Sequence, residues 1–298
     1  MNAALWAAAA TGVQVGAAIV ASRFAVAEVP PLTLAMLRYA IGFACLLPFA
    51  VRSLRREPQP MPPARDLAGM AALGIGQFGL LIALLNWGLQ RLPAAQAALV
   101  FSLFPLLTLL FGAALGRERL APQLLGGVLV SIAGVACSLW PRLGDWHAGE
   151  ARSVLAVLAA SATGAACSVL YRPYLQRNPV VPVSAFAMLA SVLALALLAW
   201  PEHWVVRAGT FSARAWLAVA FIGLSSGIGY FWWLYALKHE TPTRVTVFLA
   251  LNPVTATLLG WLLLGERPHA ATWPALALIA AGLWLATRVT GAPPAGSR

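Results

Sequence analysis

Apolar runs close to twenty residues long follow one another through this chain, separated by short polar or proline-rich breaks. A helix rises about 1.5 Å per residue, so a run of about twenty matches the roughly 30 Å hydrocarbon core of a bilayer. No water is available there to satisfy backbone N–H and C=O groups, which makes the helix the natural form for such a run. The pattern predicts helices at 3–25, 32–52, 67–91, 93–116, 120–141, 152–173, 180–201, 213–237, 242–264 and 270–289. The breaks carry Pro30 with Pro31, the RREPQPMPPARD loop, Pro93, Pro122, PRLGDWHAGEAR, Pro179 with Pro182, Pro242 and Pro268. Composition agrees. The chain is 61% hydrophobic and 10% charged, against about 45–50% and about 25% in a soluble domain. The expected class is an all-α integral membrane protein with ten transmembrane helices, whose short connections leave no room for a soluble domain.

The formal charge of +11 raises the question of nucleic acid. The basic residues sit at the ends of the apolar runs, however, where they serve topology and lipid-headgroup contact. No nucleic-acid partner is expected. With the N-terminus inside, the cytoplasmic side carries Arg52, Arg55, Arg56, Arg65, Arg117, Arg119, Arg172, Arg177, Lys238, Arg244, Arg288 and Arg298. The outer side carries Arg23, Arg91, Arg142, Arg152, Arg207, Arg214 and Arg267. This bias predicts both termini in the cytoplasm. Trp87, Trp140, Trp146, Trp200, Trp204, Trp216, Trp261 and Trp273 fall at the expected outer boundary, where an indole can be half wet. Cys45, Cys137 and Cys167 lie inside apolar runs with no CxxC spacing and read as small buried hydrophobes. The first run lacks a basic leader and reads as a retained helix.

The chain also repeats itself. SLFPLLTLLFGAALGRER at 102–119 has the skeleton of FLALNPVTATLLGWLLLGER at 248–267. Pro105 aligns with Pro253, Gly112 with Gly260 and Glu118 with Glu266, each at an offset of 148. Gly134 matches Gly282 at the same offset, and AATG at 9–12 echoes SATG at 161–164. A unit of five helices is odd, so its second copy enters the membrane from the opposite side. The expected organisation is two inverted five-helix repeats, 1–145 and 146–298, a recurring plan of secondary transporters.

The blocks LTLAMLRYAIG at 32–42, NWGLQRLPAAQAALVFSLFPLLTLLFGAALGRERL at 86–120, GVLVSIAGV at 127–135 and ALKHETPTRVTVFLALNPVTATLLGWLLLGER at 236–267 resemble the drug/metabolite transporter superfamily in its ten-helix EamA-type branch. The resemblance implies alternating-access export of small metabolites, often amino acids, through the bacterial inner membrane. Within the branch the chain is most similar to aromatic amino acid exporters. A multidrug or nucleotide-sugar-type carrier and a non-transporting membrane scaffold are the alternatives. The implied partners are a small-molecule substrate and the lipid bilayer, with the protein a monomer or weak oligomer.

Prolines inside apolar runs remove a backbone donor and free a carbonyl one turn back. Pro105 and Pro253 therefore mark the fourth and ninth helices as bent, either as walls of a path or as plain structural kinks. Asn252 sets an amide near mid-membrane directly before Pro253, and Phe248 and Arg244 share its helix face. The repeat puts Phe104, Val100 and Gln96 on the matching face of the fourth helix. Ser226, Tyr230 and Trp233 form an aromatic and hydroxyl stripe on the eighth, and Gln14 and Gln77 bring amides to mid-depth in the first and third. Gln14, Gln77, Phe104, Ser226, Tyr230, Phe248 and Asn252 are the expected substrate-binding residues. Packing between helices is the competing reading for the two glutamines, and lipid contact for Trp232 and Trp233. Arg38, the one charge well inside a span, reads as a structural contact to helix-end carbonyls ahead of a substrate group.

All nine acidic residues and all four histidines lie in loops or at helix ends. A proton-coupled carrier needs a titratable group along its path, so facilitated diffusion or exchange is expected. No enzyme motif, metal-ligand set or Walker sequence is present, and no cofactor is expected.

Overall fold

The computed structural model describes residues 3–56, 62–116, 122–139 and 148–287, and helix is the regular structure among them. In chain order the long helices are α1 (Ala3–Ala25), α2 (Pro31–Arg56), α3 (Ala64–Leu89), α4 (Ala94–Ala114) and α5 (Pro122–Leu139). They continue with α6 (Ala148–Arg177), α7 (Val180–Leu198), α8 (Ala213–His239), α9 (residues 242–264) and α10 (Thr272–Thr287). Among the described residues, eight helices are long and apolar enough to cross a membrane. The apolar stretches of α5 and α10, Leu125–Cys137 and Thr272–Gly282, are shorter. Leucines and tryptophans cover the outside of the bundle. Leu197 is 77% exposed, and Trp87, Trp200, Trp216, Trp261 and Trp273 are all exposed. Such a surface is tolerated where the solvent is lipid. The protein is therefore a multi-pass membrane protein.

Apolar faces give no driving force for association inside lipid, so close packing has to come from small residues. α1 packs on α8 and α9, and α6 on α3 and α4. α2 lies between α7 and α8, α7 also meets α3, and α5 pairs with α10. A Cβ on Gly16 would stand 2.6 Å from the Asn252 carbonyl oxygen, so glycine is what lets α1 and α9 cross this closely. α5 and α10 are joined the same way in both directions. Gly134 faces the Ala275 carbonyl, and Gly282 faces the Gly127 carbonyl. The first half of α4 (Ala94–Phe101) packs on the last segment of α9 (Leu251–Leu264). The second half of α4 (Phe104–Ala114) packs on the first segment of α9 (Pro242–Thr246), so the two run antiparallel.

Three helices are not continuous. α4 breaks into a turn at Ser102 and Leu103, with Pro105 in the first turn of its second half. The Ser102 hydroxyl donates to the Leu99 carbonyl at 2.6 Å inside that break. α9 tightens to a 3-10 turn at Val247–Ala250 just before the segment that holds Pro253. Both interruptions fall where the sequence expects bending. α3 widens to a π turn at Ile75–Leu80, which the sequence reading did not anticipate. α6 is also longer than expected, at 30 residues.

Loop carboxylates tie helix starts together at one end of the bundle. Glu202, in the α7–α8 connection, accepts from the Leu32 N–H at 3.2 Å and from the Thr33 N–H and hydroxyl at 2.7 Å each. Glu28 accepts from the Ser212 N–H and hydroxyl, each at 2.9 Å, at the start of α8. Those two bonds, the backbone one first, hold the Glu28 carboxyl below the usual glutamate value. Glu266 accepts from the Ala94 N–H at 3.0 Å and lies 3.6 Å from Arg23. Glu266 thus ties the start of α4 and the end of α1 together. Its repeat counterpart Glu118 lies outside the described residues, as do Arg117, Arg119, Trp140, Arg142, Trp146, Arg288 and Arg298.

Candidate functional site

A cavity of about 70 Å³ lies inside the bundle, walled by α1, α2, α3, α4, α8 and one residue of α9. That is room for a few water-sized groups and not for a bulky ligand unless the walls part. Its polar groups are Thr11 and Gln14 from α1, Arg38 from α2, Gln77 from α3, and Ser226 with Tyr230 from α8. The π turn carries Gln77 and Phe78 to the wall. Such turns recur at functional positions because the extra residue re-aims the side chains around it.

Aromatic rings and aliphatic side chains share the remaining wall. Tyr39 lies 4.6 Å from Phe78, and Phe78 meets Tyr230 edge-on at 4.0 Å between centroids. In a second set Phe101 lies 5.4 Å from Phe104, and Phe104 meets Trp233 edge-on at 6.0 Å. The two sets together form an aromatic cage in the cavity lining. Edge-to-face pairs are the geometry the ring quadrupoles favour, so the cage is held in shape by its own members.

Five of the seven expected binding residues converge on this cavity: Gln14, Gln77, Phe104, Ser226 and Tyr230. Phe248 and Asn252 do not line it. The Phe248 carbonyl abuts Gly12, and the Asn252 backbone abuts Gly16, so this face of α9 is taken up by the crossing with α1. Asn252 is fully buried there, and neither its Oδ1 nor its Nδ2 has a hydrogen-bond partner. Arg244 pairs with Glu240 at 2.8 Å. Gln96 lines a separate groove beside Glu266. Gln14 donates to the Ser225 hydroxyl at 3.2 Å and keeps an edge on the cavity.

Arg38 departs most from expectation. Its Nε donates to the Ser226 hydroxyl at 2.6 Å, and its guanidinium lies 5.3 Å from the Tyr39 ring centroid. Among the described residues, helix-end carbonyls take no part. The residue is 6% exposed and lines the cavity. Trp233, in the stripe with Ser226 and Tyr230, lines the cavity, and so do Tyr39, Phe78 and Phe101, which the sequence does not single out. For Arg38 the signal was available, because a charge inside an apolar run marks a functional position by default. For Tyr39, Phe78 and Phe101 there was none, since aromatic residues on an apolar helix pack against lipid as readily as against a ligand.

A helical membrane bundle around a buried cavity of rings, amides and one cation has the build of a small-molecule carrier. The chain belongs to the EamA-like transporter family, whose model matches residues 2–140 and again 151–288. It is 31% identical to the probable terminal-alkyne amino-acid exporter of Streptantibioticus cattleyicolor, over 76% of this chain and 73% of that one. It is 30% identical to the aromatic amino acid exporter YddG of Ancylobacter novellus, over 87% and 88%. The uncharacterized inner membrane transporter YedA of Escherichia coli is 28% identical over 89% and 84%. A solved crystal structure 28% identical in sequence superposes with a TM-score of 0.67 over 94% of this chain and 96% of that one. The protein is a membrane transporter.

Proposed function

We propose that this chain is an inner-membrane exporter of amino acids, including those with aromatic or large apolar side chains. It works by alternating access between two inverted five-helix halves, 1–145 and 146–298, with α5 and α10 completing ten spans and both termini in the cytoplasm. The observation that carries the reading is the buried cavity, where an aromatic cage meets a small set of amide, hydroxyl and guanidinium groups. Rings suit an apolar side chain, and the polar groups suit the α-substituents that every amino acid shares. Relatives named as amino-acid exporters support the substrate class.

The helix contacts support the inverted repeat. Replacing each helix by the one five places along turns α1–α8 into α6–α3, α1–α9 into α6–α4 and α2–α8 into α7–α3. The pairs α2–α7, α4–α9 and α5–α10 return to themselves. The family's double match and the reciprocal Gly134 and Gly282 contacts point the same way. Exchanging the conformations of the two halves moves the opening from one face to the other, with the breaks before Pro105 and Pro253 as hinges. In that exchange the unpaired Asn252 amide leaves the α1 crossing and enters the path, as does Phe248. Among the described residues no Asp, Glu or His lines the cavity, which supports facilitated diffusion or exchange rather than proton antiport.

The test is counterflow in proteoliposomes, with labelled L-phenylalanine and L-leucine inside and a panel of unlabelled amino acids outside. Exchange with at least one large apolar amino acid is expected. Tyr230→Ala should slow it about tenfold, the factor that 1.4 kcal/mol of lost contact gives. A protein that inserts and purifies but exchanges no amino acid would overturn the reading.

A further inference from the structure

Arg38 is a buried cation with no anion. Its guanidinium has no Asp or Glu within 4.0 Å among the described residues, and its sole protein hydrogen bond there is the one from Nε to Ser226. Both Nη groups are left without a protein acceptor. The Ser226 hydroxyl is itself fixed, because it donates back to the Ile222 carbonyl one turn earlier. The guanidinium is therefore held from its Nε edge, with its remaining donors free in a cavity whose walls are mostly aromatic and aliphatic. A charge taken out of water without a partner is strongly disfavoured, and a resident protein normally supplies the counter-ion. Gln77, which also lines the cavity, shows the complementary fault, since its buried Oε1 is an acceptor with no donor.

We propose that the two gaps are filled by the substrate. Arg38 receives its carboxylate, Gln77 Oε1 accepts from its ammonium, and Ser226 acts as a positioning residue that aims the guanidinium. The planar guanidinium fork matches a carboxylate bidentately, which an ammonium in the same place would not. This rests on reading the cavity as the transport site, and it narrows the cargo. The carrier takes zwitterionic α-amino acids and rejects the same side chain on an amine, an amide or an ester.

The analogues test this on the wild-type protein with no variant at all. Proteoliposomes loaded with labelled L-phenylalanine are challenged with L-phenylalanine, L-phenylalaninamide, phenethylamine and 3-phenylpropionate. L-Phenylalanine should drive exchange, and the amide and the amine should be at least about tenfold weaker, the usual consequence of losing a charge-assisted hydrogen bond. 3-Phenylpropionate, which keeps the carboxylate and lacks the ammonium, should fall between them. Ser226→Ala should raise the half-saturation concentration for L-phenylalanine several-fold with little change in maximal rate. It should also shrink the preference for acid over amide, a shift that a merely structural role would not produce. Arg38→Lys should retain part of the exchange that Arg38→Gln loses. If L-phenylalanine and its amide exchange equally well, the assignment of Arg38 is wrong while the exporter reading stands. If no amino acid exchanges at all, both fall together.

Discussion

At Asn252 sequence and structure pull against each other. An amide next to a mid-membrane proline belongs beside water, yet here it is fully buried with both polar atoms unpaired. An unsatisfied buried polar group destabilises the state that holds it by about 1–3 kcal/mol. Asn252→Leu, similar in size and without polar atoms, should therefore raise the thermal midpoint of the purified protein by a few degrees. The same change should cut counterflow several-fold, because the path loses the amide it needs in its other form. A variant that is both more stable and fully active would remove Asn252 from the path. Helical spacing showed that Asn252 and Phe248 share a face. It could not show that this face is covered by α1, since that depends on how closely Gly12 and Gly16 let the two backbones approach. Ser226 and Tyr230 were legible because hydroxyl groups at four-residue spacing on an apolar helix must look inward. Arg38 was misread because its depth fits snorkelling and cavity lining equally well, and only its bond to Ser226 separates the two.

At the scale of the element, the bends of α4 and α9 were written in the chain and the π turn of α3 was not. Proline acts locally, by a missing donor and a ring against the preceding turn, so Pro105 and Pro253 announce themselves. The run Gly74-Ile75-Gly76-Gln77-Phe78-Gly79 is compatible with a plain α-helix, and its widening depends on the neighbours packed around it. A Cβ on Gly74 would lie 2.5 Å from the Ala187 carbonyl of α7, which fixes α3 tightly at the start of the turn. Restoring the donor in the bent helices should stiffen them. The double variant Pro105→Ala with Pro253→Ala is expected to slow maximal exchange at least about fivefold, with half-saturation nearly unchanged and the thermal midpoint unchanged or raised. Each single variant should fall between it and wild type. Unimpaired turnover in the double variant would make the breaks structural kinks and not hinges.

At the scale of the whole molecule, composition and run length were enough for a helical membrane protein, and the constant offset of 148 was enough to suggest duplication. Opposite orientation of the copies came from counting spans, and it has a direct test. In a protein without Cys45, Cys137 and Cys167, single cysteines at Gln90 and Gly209 should react with a membrane-impermeant maleimide in intact cells. Single cysteines at Arg56 and Arg177 should react only after lysis. Gln90 and Arg177 on the same side would rule out the inverted arrangement. The lone guanidinium in the middle of this bundle matters for the membrane as well as for the cargo. A conduit whose fixed charge is positive, with no carboxylate to compensate it among the described residues, repels sodium, potassium and hydronium. The cell can discharge an organic solute through such a protein and keep its ion gradients insulated while it does so.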